Sequence, residues 1–179
     1  LFNRARVDAL EGRTDEAIAG YRAALAVERD NAAVSLNLAL ALEAKGDTDA
    51  AGRAYAAAIG ADPDLALAHH NLAGILAARG EKEAALAGYQ EAERADPSNA
   101  NTPKNLGFLL AGLGRTEELE LHFRASKNIG VDPREIAETL MHVAVYAGVP
   151  AANRAFALAK TILDEPAEKP DSQTVPDTE

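Results

Sequence analysis

The chain has no cysteine and no tryptophan in its 179 residues, and aromatic residues make up only 4% of it. Without cysteine there is no disulfide framework, no thiolate metal site and no thiol redox chemistry. Hydrophobic residues still reach 47%. Much of that share is alanine, which favours closely packed helices over a bulky globular core. Positive charge is in deficit, since 18 Lys and Arg stand against 28 Asp and Glu for a net −10. That balance argues against a nucleic acid held through its phosphates. No apolar run approaches the ~20 residues of a membrane span. His69 and His70 are adjacent and so lack the i, i+4 spacing of a helical metal pair. No phosphate-binding glycine loop and no serine nucleophile motif is present, so neither a cofactor nor a metal is expected. Leu1 rather than Met opens the chain. A fragment or processed product is therefore expected, which leaves an upstream signal peptide open; the cytoplasm is the favoured compartment.

What is present is a recurrence. Gly12, Gly46, Gly80 and Gly114 are each 34 residues apart. Five residues after each glycine comes Ala17, Ala51, Ala85 or Leu119, and nine after it comes Tyr21, Tyr55, Tyr89 or Phe123. Nine before it comes Asn3, Asn37, Asn71 or Asn105. Four positions that repeat together at one period mark a repeat array. Each glycine suits the left-handed backbone at a helix C-terminus. Thr14, and Thr48 or Asp49, suit the start of the helix that follows, with Asp15 and Glu16 at the positive end of its dipole. Asp62-Pro63 and Asp96-Pro97 end the second and third pairs, because proline disfavours helix at the residue before it.

Large apolar and small positions, then Gly, Ala, aromatic, Ala and Pro over 34 residues, resemble the tetratricopeptide repeat. The third unit supplies Leu72, Ala73, Leu76, Gly80, Ala85, Tyr89, Ala92 and Pro97. The second supplies Leu38, Ala39, Leu42, Gly46, Ala51, Tyr55, Ala58 and Pro63. The first departs from the pattern at Arg4, Asp8 and Arg29, as a terminal repeat with one face in water would. The fourth keeps Leu106, Gly107, Leu110, Leu119, Phe123 and Ser126 but has Val131 in place of the proline. The resemblance implies an all-α solenoid of about four antiparallel helix hairpins over 1–131, divided as 1–29, 30–63, 64–97 and 98–131. Small residues let the two helices of a hairpin approach, and the aromatic packs against the next hairpin.

After Gly130 the pattern changes. Asp132-Pro133 is expected to open a helix reaching about Ala147, and a last helix is expected over Ala151 to about Leu163. The small and aromatic positions come one residue early there, at Ala152 and Phe156. A degenerate hairpin over 132–165 is expected to cap the stack. The tail, 166–179, holds three prolines and four acids and is expected to be disordered.

A second resemblance overlaps the fourth repeat. Glu118, Leu119, His122, Ala125, Gly130, Glu135, Ile136, Glu138, Ala144 and the run Tyr146 to Ala152 are similar to the carboxymuconolactone decarboxylase family over about 106–163. That family is all-helical and oligomeric and includes lactone decarboxylases and thiol peroxidases. Arg115 and Glu118 stand at the two peroxidase cysteine positions, and Pro103 stands where that branch has an acid. The decarboxylase branch is therefore the one implied. Self-association through the C-terminal hairpin is part of that implication.

Two sets of candidate residues follow. The asparagine column, Asn3, Asn37, Asn71 and Asn105, is expected on the concave face, where each amide offers both a donor and an acceptor to the backbone of an extended peptide. It resembles the asparagine ladder in the repeats of the eukaryotic O-linked N-acetylglucosamine transferase. His70 and Lys104 precede two of these residues and could add contacts or a cation; a solvated surface is the plainer alternative. Lys104 alone does not make the clamp that binds chaperone tails. On the second set, Glu118 and His122 share a helix face, with Arg115 three residues before Glu118. Histidine beside a carboxylate can act as a general acid or base, and arginine can hold a substrate carboxylate. An exposed, salt-linked helix face is the plainer alternative. The leading expectation is a non-enzymatic scaffold binding a peptide or protein in the concave groove; the alternative is a cofactor-free decarboxylase acting on a small acidic lactone.

Overall fold

The computed structural model describes residues 1–99, 101–128, 132, 134 and 149–164. Among them the chain is helical throughout. The helices are α1 (Phe2–Leu10), α2 (Thr14–Val27), α3 (Ala32–Ala44), α4 (Thr48–Ala61), α5 (Ala66–Ala78), α6 (Lys82–Ala95), α7 (Asn101–Leu113), α8 (Thr116–Asn128) and α9 (Val149–Asp164). The first eight pair as four hairpins, each packed on the next, and α9 lies against α7 and α8. The helix expected over 133–147 and the acidic tail lie outside the described residues.

The glycine comb makes the hairpin turns. Gly12, Gly46, Gly80 and Gly114 have φ of +76°, +85°, +82° and +72°. A side chain there would be strained, which is why glycine recurs. In each turn the amide one residue past the glycine donates to a carbonyl five residues back: Arg13 to Asp8, Asp47 to Leu42, Glu81 to Leu76 and Arg115 to Leu110, at 2.8–3.0 Å. These bonds satisfy the last carbonyls of the first helix. The turn is so short that the second helix starts sooner than the sequence suggests. Thr14 and Thr48 are the first helical residues, and Arg13 and Asp47 hold the cap positions. The Asp47 carboxylate accepts from the Ala50 amide at 3.1 Å, and Asn31 caps α3 the same way at 3.0 Å to Val34.

The aromatic column is buried. Tyr21, Tyr55, Tyr89 and Phe123 all lie in the interior, as do Ala17, Ala51, Ala85 and Leu119. The interior forms two clusters. One joins α1 to α4 with Ala68 and Ile75 of α5; the other joins Ala73 of α5 to α6, α7, α8 and α9. On the surface, ion pairs join neighbouring repeats, Lys45 to Asp15 at 2.6 Å and Arg79 to Asp49, and Arg94 reaches Asp64 at the start of its own repeat at 2.8 Å. Each is exposed, so each contributes only about 0–1 kcal/mol.

Two features differ from expectation. Asp8, expected to face water, is buried at 6% exposure. Arg13 donates to its carboxylate through Nε at 3.0 Å, and Arg4 donates at 3.3 Å. The Arg13 hydrogen bond holds the Asp8 carboxyl below the usual carboxylate range. An ion pair thus occupies a place that other repeats give to leucine. Phe156 does not join the aromatic column and stays 37% exposed. Helix α9 instead buries Ala151, Ala152, Ala155, Ala159 and Ile162, and a one-residue shift turns a side chain about 100° around a helix.

The hairpins close on small residues. A Cβ built on Gly20 would lie 2.7 Å from the Ala5 Cβ, and one on Gly88 would lie 3.0 Å from the Ala73 Cβ. Gly60 near the end of α4 has nothing within 4 Å. Gly20→Ala should therefore cost about 1–3 kcal/mol by forcing α1 and α2 apart. Gly60→Ala should stabilise by about 0.5 kcal/mol. Urea denaturation of both variants checks this; a neutral Gly20→Ala would show that the α1–α2 contact yields freely.

Candidate functional site

The asparagine column lies on the first helices, α1, α3, α5 and α7, in register with the tyrosines of the preceding second helices. Asn71 Nδ2 donates to the Tyr55 hydroxyl at 3.0 Å, and that hydroxyl donates to Glu43 Oε2 at 2.5 Å. Burial, and then the Glu43 hydrogen bond, push the Tyr55 pKa well above the usual phenol value. Burial pushes the Tyr89 hydroxyl up as well, and the nearby Asn105 side chain acts in the opposite direction. Sequence reasoning missed this structural task, although the sixteen-residue spacing from Tyr55 to Asn71 and from Tyr89 to Asn105 was visible. The bond uses one of the two N–H donors of the Asn71 amide. It leaves the other donor and the carbonyl oxygen to spare.

The first interface is different. Asn37 Nδ2 turns to the Ala33 carbonyl of its own helix at 2.7 Å. A cleft of about 340 Å³ opens here, lined by Arg6, Leu10, Tyr21, Asn37, Leu40 and Ala44 among others. It combines an arginine, a hydroxyl and an amide with an apolar wall, which is the composition of a ligand site. Asn3 is exposed at the start of α1. At the other end, His70 Nδ1 and the buried Thr102 hydroxyl are 2.9 Å apart across the α5–α7 junction. The His70 ring stands edge-on to Tyr89 with centroids 5.2 Å apart. Burial lowers its pKa, so the neutral ring is favoured. His70 is thus a junction residue, and Lys104 is half-buried on α7.

The second candidate set is split between two environments. Arg115 donates to Glu118 at 2.6 Å and to Glu83 at 3.3 Å, and both Arg115 and Glu118 side chains are 39% exposed. The His122 side chain is 9% exposed. Its Nε2 is 2.7 Å from the Pro103 carbonyl; a carbonyl only accepts, so Nε2 carries the proton. Glu93 Oε1 is 3.9 Å from Nδ1. His122 is 34 residues past Gly88, which is 34 past Ala54, itself 34 past Gly20. It therefore occupies the hairpin crossing. Gly107 faces it, and a Cβ there would lie 3.4 Å from His122 Cδ2. The space between α7, α8 and α9, lined by Leu110, Leu119, Arg154 and Ala155, has a volume of about 10 Å³. That is room for one water at most. Tyr146, part of the run that resembles the decarboxylase family, lies outside the described residues. Among the described residues no cluster of His, Asp and Glu could hold a metal ion, and no helix is long and apolar enough to cross a membrane.

Comparison with known proteins finds two families on the chain. The tetratricopeptide repeat model matches residues 2–66 and 45–100, and the carboxymuconolactone decarboxylase family model matches residues 109–161. A 4-carboxymuconolactone decarboxylase of Acinetobacter baylyi is 39% identical over 51 residues, which is 28% of this chain and 38% of that protein. The chain thus matches little more than a third of that relative's length. The crystal structure of YrrB, described as a TPR protein with an unusual peptide-binding site, superposes with a TM-score of 0.70 at 18% identity. The likeness covers 90% of this chain and 84% of that one. The crystal structure of MamA gives 0.69 at 19% identity, covering 89% and 92%.

If the Tyr55–Asn71 bond holds two repeats in register, the variants Tyr55→Phe and Asn71→Ala should each destabilise by about 1 kcal/mol. The pair should then show a coupling of about 0.5–1 kcal/mol in a double-mutant cycle. Additive losses would show that the two side chains act independently.

Proposed function

Since the chain belongs to the tetratricopeptide repeat family, we propose that it is a protein-interaction scaffold that takes an extended peptide along the face carrying Asn37, Asn71 and Asn105. The observation that carries this reading is the cleft on that face beside Asn37, continuous in register with Asn71 and Asn105. The amides can bond a peptide backbone without reading its side chains, because each keeps a donor and an acceptor after its internal bond. Leu10, Leu40 and Leu67 are exposed on the first helices and supply apolar area for the side chains of a ligand. The peptide-binding site named for YrrB supports the same reading by analogy. In a peptide-array screen, ligands should lose about tenfold or more in affinity in the Asn37→Ala/Asn71→Ala double variant, equivalent to about 1.4 kcal/mol. Unchanged binding would remove the asparagines from the account.

The 51-residue match favours a second reading, a cofactor-free decarboxylase acting on a small acidic lactone. His122 would then be the acid or base, with Glu118 and Arg115 beside it. The placement of His122 weighs against this, since its Nε2 is committed to the Pro103 carbonyl while Glu118 pairs with Arg115. The expected result is no loss of carboxymuconolactone absorbance above that of the His122→Ala variant. Turnover that depends on His122 would restore the enzyme reading.

A further inference from the structure

We propose that the contact between α5 and α7 is an acid-sensitive latch: a proton taken up by His70 breaks its hydrogen bond to Thr102 and loosens the fourth hairpin on the third. The repeat register shows what is unusual there. The pairs at the same two positions of the earlier junctions are Phe2 with Val34 and Leu36 with Ala68. Those four residues are apolar and belong to one interior cluster, with Val34 and Ala68 buried in it. Apolar pairs hold alike at any pH. Of the three junctions, only the last replaces them with an imidazole and a hydroxyl, 2.9 Å apart.

The hydrogen bond has a fixed direction. Thr102 is 0% exposed, and among the described residues its hydroxyl has no partner except His70 Nδ1. A buried hydroxyl hydrogen needs an acceptor. Thr102 therefore donates and Nδ1 accepts, which places the ring's own hydrogen on Nε2. A proton on Nδ1 turns that acceptor into a donor. The Thr102 hydrogen then has nothing to receive it, and the ring becomes a cation half-buried against Tyr89.

Among the described residues no carboxylate is placed to hold that cation. Helix α5 carries no acid, and Lys104 is the only charged residue of α7. On α6, Tyr89 faces the ring, Glu83 lies at Arg115, Glu91 at Arg94, and Glu93, one turn past Tyr89, lies at His122. On α4, Asp49 is taken by Arg79, Arg53 is exposed, and the Tyr55 hydroxyl is bonded to Glu43. His69 is turned to the Pro63 carbonyl, 2.9 Å away. Burial is what shifts His70, and it lowers the pKa from the ordinary 6.5. The contribution of the junction to stability is therefore complete above that value and falls as pH drops through it. His122 holds the Pro103 carbonyl of the same turn of α7 but responds differently. It already donates from Nε2, so a proton on Nδ1 leaves that bond in place and faces Glu93.

Hydrogen exchange of the full chain, read by mass spectrometry and corrected for the intrinsic rate, tests this between about pH 7.5 and about pH 5.5, on either side of the ordinary histidine pKa. Relative to those of α3, amides of α7 should exchange about threefold or more faster at the lower pH. The variant His70→Leu/Thr102→Ala, which rebuilds the pair seen at Leu36 and Ala68, should lose that pH dependence. His70→Gln should lose it too, because its amide oxygen still accepts from Thr102 but does not titrate. His122→Gln should keep it. An α7 that exchanges alike at both pH values in the wild type, an unchanged response in His70→Gln, or a response abolished by His122→Gln would each overturn the latch.

Discussion

In every hairpin the two backbones pass close at one point, and at least one of the two residues that meet there is small. Ala5 faces Gly20, and Ala73 faces Gly88. At the corresponding places of the second hairpin stand Ala39 and Ala54, both buried. The fourth hairpin places the small residue, Gly107, on the first helix and the larger His122 on the second. The ring then spans the gap and reaches the Pro103 carbonyl. The same steric rule that closes the hairpins explains how a histidine can be placed in a repeat that elsewhere allows only glycine or alanine. It also explains why two family patterns overlap on these residues: the histidine that fits the decarboxylase pattern falls on the hairpin's own 34-residue register.

The polar side of the structure rests on a second contact. Asn71 closes the junction with the preceding repeat through the Tyr55 hydroxyl. An amide held in fixed orientation in this way would lose less entropy on bonding to a ligand. The first junction departs from this arrangement and opens a cleft instead.

Much of this was legible in the sequence, and the reason is periodicity. The glycines at 12, 46, 80 and 114 mark positive φ directly, and the aromatics at 21, 55, 89 and 123 mark the buried column, because each has one physical cause repeated four times. What escaped was pairwise. Asp8 reads as a charge facing water, and only the fold shows Arg13 closing on it across the turn. Phe156 reads as an aromatic displaced by one residue, and only the helix face shows that the displacement leaves it exposed. The asparagine column reads as free of structural duty until the tyrosine hydroxyls are in place. His122 and Glu118 share a helix face by spacing, yet His122 is held by the Pro103 carbonyl of α7 while Glu118 pairs with Arg115 at the start of its own helix, which spacing does not encode.

Helix α5 contributes Ala68 and Ile75 to one interior cluster and Ala73 to the other. It is therefore a party wall. Each half of the stack has its own apolar interior, and the two communicate through the thickness of a single helix. Stability in such an array is close to a sum of neighbouring terms. A loss at either end can be contained at this wall rather than spread along the chain. The stack accordingly has a natural joint near its middle. A ligand long enough to lie on both sides of that joint would fasten the two halves together from outside.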